Sequence, residues 1–186
     1  MGGGDMAFKR ELVEAWVASQ APGERLLGSI AAGTWTPMQV TATYGGSGWT
    51  SGMRADDVQF KGDDVMSRRI AEFGADPSKS VAPFASTTFY VLTDRRLLLG
   101  SRSSVRNRPK DLLHAAPADL VAVYWFDIRE TGGNVFRHLL VDFGDGFWRR
   151  DRTGLAVLGK RLATTDDADA FFAALGPRAR EIPAAL

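Results

Sequence analysis

The chain has 186 residues, 45 % of them hydrophobic and 24 % charged, with a formal net charge of +1; this is the size and balance of one globular domain and excludes wholesale disorder. It contains no cysteine and only two histidines, His114 and His138, which excludes disulfides, thiolate chemistry and a multi-histidine zinc site. Residues 1–80 carry 8 Lys/Arg against 10 Asp/Glu, residues 81–186 carry 15 against 12, and 18 of the 23 cations are arginine, a side chain suited to bidentate anion contacts.

Asp5 is placed to cap a first helix running to Gln20, because its carboxylate accepts orphan backbone N–H groups. Phe8, Leu12, Ala15, Trp16 and Ser19 recur at helical spacing and predict a face docked on a core. Ala21-Pro22-Gly23 stops that helix. Arg25 to Ala32 reads as a strand, and Met38, Val40, Ala42 and Tyr44 alternate with polar residues in a second. The stretch from Gly45 to Gly52 is too rich in glycine for regular structure, and a short helical segment is expected between Asp56 and Phe73. Thr87 to Thr93 is β-branched and aromatic, and Asp94-Arg95 turns it into Arg96 to Gly100 as a hairpin. A polar basic loop follows from Ser101 to Lys110. Ala118 to Glu130 predicts a strand buried in part on both faces, joined through Thr131-Gly132-Gly133-Asn134 to Val135–Phe143. Gly144-Asp145-Gly146 then turns the chain into Phe147–Arg150. The last element is a helix from Asp166 to Leu175 with capping oxygens on Thr164, Thr165 and Asp166; Ala168, Phe171, Phe172 and Leu175 fall on one face, and Gly176-Pro177 ends it. The expected organisation is an N-terminal helix (1–22), one domain (23–176) with an inserted segment near 45–80, and a tail (177–186).

The run Phe89-Tyr90-Val91-Leu92-Thr93-Asp94-Arg95-Arg96-Leu97 resembles the "strand, Leu-Thr-Asp-x-Arg-Leu, strand" hairpin of bacterial pleckstrin-homology-like (PH-like, GRAM-like) domains. Pro117-Ala118-Asp119-Leu120-Val121 resembles the family's entry into its next strand, and the Asp-Gly turn and acidic-capped closing helix follow in order. The resemblance covers residues 86–176. It implies an α+β, mainly β fold: a bent antiparallel β-barrel capped by a C-terminal amphipathic helix. It also implies a scaffold for binding lipids, peptides or proteins rather than an enzyme. Two features depart from the family. The interval from Glu24 to Tyr44 contains Arg25 as its single cation where lipid-binding members carry a basic cluster, and Phe171 and Phe172 stand where the closing helix often has tryptophan.

The strongest local signal for a site is the tract of Arg95, Arg96, Arg102, Arg106, Arg108 and Lys110, which contains no acidic residue. Its field would attract anionic partners, while a loop kept soluble by charge, with Arg95 or Arg96 paired to Asp94 or a neighbouring strand, explains the same residues. Arg149, Arg150 and Arg152 beside Phe147 and Trp148 have the makings of a single-strand nucleic-acid grip; strand alternation with rings inward and arginines outward is the plainer account. The glycine stretch lacks the Lys of a P-loop and the Gly-x-Ser-x-Gly of a nucleophile elbow, leaving Trp49 as a possible contact at a loop tip. His114 is placed in a loop and His138 on the solvent-facing or barrel-rim side of a strand; a Ser104, His114, Asp119 constellation can be drawn but has no motif behind it. The adjacent aspartates 56–57, 63–64 and 166–167 read as helix starts.

The sequence thus predicts a non-enzymatic binding or assembly module without cofactor or metal, using Arg102, Arg106, Arg108, Lys110 and Trp49 toward a protein partner, a second copy or an anionic ligand or membrane surface. A small-molecule enzyme and an Arg-rich nucleic-acid binder are the alternatives. With no run of about 18 apolar residues and no basic-then-apolar leader, no transmembrane segment and a cytoplasmic location are expected.

Overall fold

A computed structural model describes residues 9–34, 79, 81, 87–103, 108–129 and 132–182. The expected strand at Met38–Tyr44, the glycine stretch with Trp49, the helical segment Asp56–Phe73, and Asp5, Ser104 and Arg106 all lie outside these residues. Among the described residues, no helix is long and apolar enough to cross a membrane.

Helix α1 (Arg10–Gln20) buries Val13, Trp16 and Val17 at i, i+3, i+4 spacing, a face turned from the expected one: of Phe8, Leu12, Ala15, Trp16 and Ser19, Trp16 is buried, Leu12 half-buried, Ala15 and Ser19 exposed, and Phe8 lies outside the described residues. It begins at Arg10 after an extended Lys9, so Asp5 lies too far upstream to be its N-cap. Strands β1 (Leu26–Thr34), β2 (Thr87–Thr93), β3 (Arg96–Arg102) and β4 (Pro109–Pro117) form an antiparallel meander. Strands β5 (Ala122–Arg129), β6 (Val135–Asp142) and β7 (Trp148–Val157) form a second, to which the short β8 (Lys160–Arg161) is added. Helix α2 (Thr164–Leu175) and a single 3₁₀ turn lead to β9 (Ala179–Glu181), which pairs with β5 in parallel. The segment expected to be a tail therefore extends the sheet.

The strand order is β4-β3-β2-β1-β7-β6-β5-β9. Among the described residues this is a mixed, open sheet and not the closed antiparallel barrel expected, because β4 and β9 form its two ends and do not pair with each other. The two meanders meet at a narrow seam, where β1 pairs with β7 at Gly33–Arg152 and Thr34–Asp151. One core cluster draws Ile30, Tyr90, Leu92, Leu97 and Leu99 from the first meander and Val123, Leu139, Val141 and Phe143 from the second. The sheet is thus folded so that both meanders contribute inward faces to a shared interior. Phe171, Ala168 and Leu175 of α2 join that cluster, the amphipathic face read from the sequence. The close fit requires glycine at position 28: a Cβ there would lie 2.9 Å from the Phe171 Cα, a backbone atom that cannot step aside.

Strand β2 is buried on both faces. Tyr90 and Leu92 face the shared interior, while Phe89 and Val91 meet α1 together with Leu98. Trp16 packs edge-on to Phe89 at 4.8 Å between centroids and donates its indole N–H to the Lys110 carbonyl at 2.6 Å. This arrangement explains the unbroken β-branched and aromatic run, which has no solvent face to fill with polar residues.

The Leu-Thr-Asp-Arg-Arg-Leu turn is held by its own polar groups. The Thr93 hydroxyl accepts the Arg96 N–H at 2.8 Å and donates to Glu24 at 2.6 Å. The Asp94 carboxylate accepts the Arg25 N–H at 3.0 Å, and the Arg96 guanidinium donates to Glu24 at 2.7 Å. The residues that carry the family resemblance therefore join the β2–β3 turn to the start of β1.

Four local expectations are corrected. The basic loop is shorter than Ser101–Lys110, since β3 runs to Arg102 and β4 begins at Pro109. His114 consequently lies in a strand. The next strand starts at Ala122 rather than Ala118, because Pro117 to Leu120 forms a turn closed by the Leu120 N–H on the Pro117 carbonyl at 3.1 Å. The Thr164 and Thr165 hydroxyls do not cap α2; they donate to the Gly154 and Leu155 carbonyls of β7 at 2.8 and 2.6 Å, pinning the helix to the sheet.

Candidate functional site

The end of the β3–β4 hairpin was the candidate interface, and the fold divides its cations. Arg108 and Lys110 are exposed. Arg102 is 5 % exposed and belongs to β3, where burial pulls its guanidinium below the ordinary value. The strand ends flanking residues 104–107 are tied together: the Ser103 N–H donates to the Arg108 carbonyl at 2.9 Å, and the Thr87 hydroxyl donates to the Arg102 carbonyl at 2.9 Å. Lys110 sits beneath α1 through its carbonyl while its side chain faces water. Asp111 follows directly and accepts the Ser101 hydroxyl at 3.2 Å. Of the predicted cluster, the described residues leave Arg108 and Lys110 exposed at the start of β4 and Arg95 exposed at the β2–β3 turn, while Arg96 is half-buried and paired with Glu24.

The second basic tract also divides: Arg150 and Arg152 face outward as expected, but Arg149 turns inward while Phe147 and Trp148 do not. Along β7, Arg149, Asp151, Thr153 and Leu155 point inward, whereas Trp148, Arg150 and Arg152 are partly exposed. Arg149 and Asp151 are each 1 % exposed. The guanidinium donates Nε to Asp151 Oδ2 at 2.6 Å and Nη2 to Oδ1 at 2.9 Å, a two-pronged ion pair within one strand. Tyr90 donates its hydroxyl to the same carboxylate at 2.5 Å, the Thr88 hydroxyl lies 3.5 Å away, and Arg149 Nη1 reaches the Val81 carbonyl. Burial raises the Tyr90 phenol well above its ordinary value, with the Asp151 charge adding to the rise. Burial also raises Asp151, against the pull of Arg149. It works against the Arg149 charge as well, but the neighbouring carboxylate raises that group overall. The cluster stands beside the narrow β1–β7 seam and ties β2, β7 and residue 81 together. Its groups are spent on one another, so it serves as a buried clamp. An Arg-x-Asp spacing on a strand was the available signal, since period two places both on one face.

The histidines are likewise repositioned. His138 is 5 % exposed, contrary to the expected solvent-facing placement. It stacks on Phe126 at 5.1 Å, and burial, with Arg152 and Arg150 nearby, lowers its pKa to about 3. It is therefore a neutral packed ring at physiological pH. His114 Nε2 lies 2.8 Å from Asp145 Oδ2, with the rings of Phe143 and Phe147 at 4.6 and 4.9 Å. Its carboxylate partner is thus Asp145 of the β6–β7 turn. The pair links edge strand β4 to the second meander across the open side of the sheet. Among the described residues, no group of three or more His, Asp or Glu is placed to hold a metal ion.

A concave surface lies elsewhere, unmarked by any sequence motif. A cleft of about 490 Å³ runs between α1 and the start of β1, with Val17, Ala18, Pro22 and Leu26 among its lining and Arg10, Glu14, Glu24 and Arg25 around them. A smaller cavity of about 70 Å³ shares Arg10 and Leu26 with it and continues past Gly28 to Asp167 and Ala170 of α2. Both signs of charge are present: Arg10 pairs with Glu14 at 2.8 Å, and Glu24 is held by Arg96. No protein-family model matches this chain, and no curated protein matches it.

Proposed function

We propose that the chain is a non-enzymatic binding and assembly module of the pleckstrin-homology-like kind, recognising an anionic ligand or protein partner from its outer surface. The PH-like part of this reading is supported by two successive meanders sharing one interior, by the Leu-Thr-Asp hairpin in its turn, and by a C-terminal amphipathic helix packed on the core.

One observation carries the functional part: the interior is filled while the charge available for recognition stands outside it. The shared core is apolar, and the buried Arg149, Asp151 and Tyr90 satisfy one another. Arg108 and Lys110 are presented at a braced hairpin end beside α1. Exposed cations at the end of paired strands attract anionic surfaces through their field.

The test compares the native chain with an Arg108→Ala/Lys110→Ala variant for binding to vesicles with anionic headgroups and to short oligonucleotides at low salt. At least a tenfold weakening in the variant is expected for the recognised anion. Equal binding by the two proteins, or none by either, removes the hairpin end from the account. Oligonucleotide binding alone, with a steep salt slope, would move the chain to the nucleic-acid class.

A further inference from the structure

We infer that the β7–β8 turn is a membrane-docking tip, its Leu158 side chain entering a bilayer while the cations beside it meet anionic headgroups. This surface is separate from the β3–β4 hairpin end, and neither depends on the other. Leu158 is 75 % exposed, and its neighbour Val157 is 42 % exposed. A lone exposed leucine is ordinary; this one is displayed against its backbone preference. Leu158 has φ 50° and Gly159 φ 73°, so both central residues of the turn are left-handed, the arrangement that Asn-Gly or Asp-Gly adopts with least strain. Leucine meets a steric penalty at that φ which asparagine or glycine largely avoids.

The turn is held in place by the adjoining β5–β6 turn. The Leu158 N–H donates to Asn134 Oδ1 at 2.9 Å and the Gly159 N–H to the Gly133 carbonyl at 2.9 Å. The fold thus fixes the strained backbone, while the leucyl side chain it carries stays largely in water. Strain spent on displaying an apolar side chain points to a use for it outside its own fold.

Charge around the tip selects the occupant. Lys160 is exposed and pairs with Val157 across the turn. Arg129 of β5 is exposed and stands in one row of the sheet with Val135, Ala156 and Arg161. Arg161 is held by Asp166 and Asp169, and Asp127 of β5 by Arg137; Glu130 lies outside the described residues. Among the described residues, the charge left uncompensated beside the tip is therefore that of Lys160 and Arg129, and it is positive. A two-residue turn is convex and gives a partner little surface to fit. A bilayer accepts a small apolar tip without such a fit and takes Lys and Arg at headgroup depth, where each basic residue adds to the attraction. One leucine and one valine bury too little to anchor the chain alone. Binding should therefore need both parts, and be reversible and sensitive to salt.

The chain has no cysteine, so a Leu158→Cys protein can carry a single polarity-sensitive dye at the tip. On vesicles of phosphatidylcholine mixed with phosphatidylserine, the dye emission should shift to the blue and be quenched by groups placed in the acyl chains; phosphatidylcholine alone should give neither change. A Leu158→Asn variant, which suits the turn, should keep or raise the native melting temperature and bind the mixed vesicles about tenfold more weakly. Lys160→Gln should weaken that binding about fivefold. No binding of the mixed vesicles by the native chain, Leu158→Asn binding as tightly as native, equal binding to both kinds of vesicle, or a dye that stays in water on bound vesicles would each overturn the inference. The dye response should persist when Arg108→Ala/Lys110→Ala is added, so failure at the hairpin end and failure at the tip are separate results.

Discussion

Arg102 and Arg149 stand in two tracts that look alike in sequence, and both are drawn inside, yet their environments differ. Arg149 lies two residues from Asp151 on the same strand face, and the carboxylate raises its affinity for the proton despite burial. Arg102 feels burial as its leading influence, and its affinity falls. A guanidinium inside a fold is thus held in different ways, and a count of positive charge along the chain measures neither its surface field nor its stability.

The sharpest way to break this contrast is to remove the carboxylate. Asp151→Asn leaves the Arg149 charge buried without its ion-pair partner and should cost about 3–5 kcal/mol in urea unfolding. An Arg149→Met/Asp151→Leu pair should cost far less, because no uncompensated charge remains. If the single and double variants are equally destabilised, the clamp acts by shape and not by charge.

His138 extends the comparison to a buried base with cations around it. Its folded pKa of about 3 lies below the unfolded value of 6.5. Its contribution to stability is therefore complete above pH 6.5 and is lost progressively as pH falls toward 3, because the unfolded chain takes up the proton first. The expected loss is about 2 kcal/mol at pH 5 relative to pH 7. A His138→Phe variant should flatten that part of the stability profile; an unchanged slope would assign it to other groups.

Arg102 supplies the smaller effect. Arg102→Met keeps the stem and removes a charge that burial already disfavours, so the change in unfolding free energy should stay within about 1 kcal/mol. A loss comparable with that of Asp151→Asn would erase the distinction between the two arginines.

The elements legible in the sequence are those decided within a few residues. The Thr93-Asp94 turn, the Asp-Gly turn before Phe147 and the apolar face of α2 follow from local hydrogen bonds and periodicity, and all three occur in the structure. Strand β4 was hidden because Pro109-Lys110-Asp111 reads as loop, and β9 because three residues give no period. The candidate site fared less well: of Arg102, Arg106, Arg108, Lys110 and Trp49, the structure exposes Arg108 and Lys110 and buries Arg102, while the other two lie outside the described residues. The α1–β1 cleft could not be read at all, since Val17 and Leu26 become neighbours through packing and not through spacing.

By itself, the order of residues determined a mainly β domain with an amphipathic helix at each end of its described span, because alternation, turn chemistry and helical spacing act over a few bonds. The inward face of β7, the neutral state of His138 and the meeting of two meanders at a narrow seam were decided by tertiary structure alone. A strand has two faces of identical period, and only the partner that covers one of them determines which is buried.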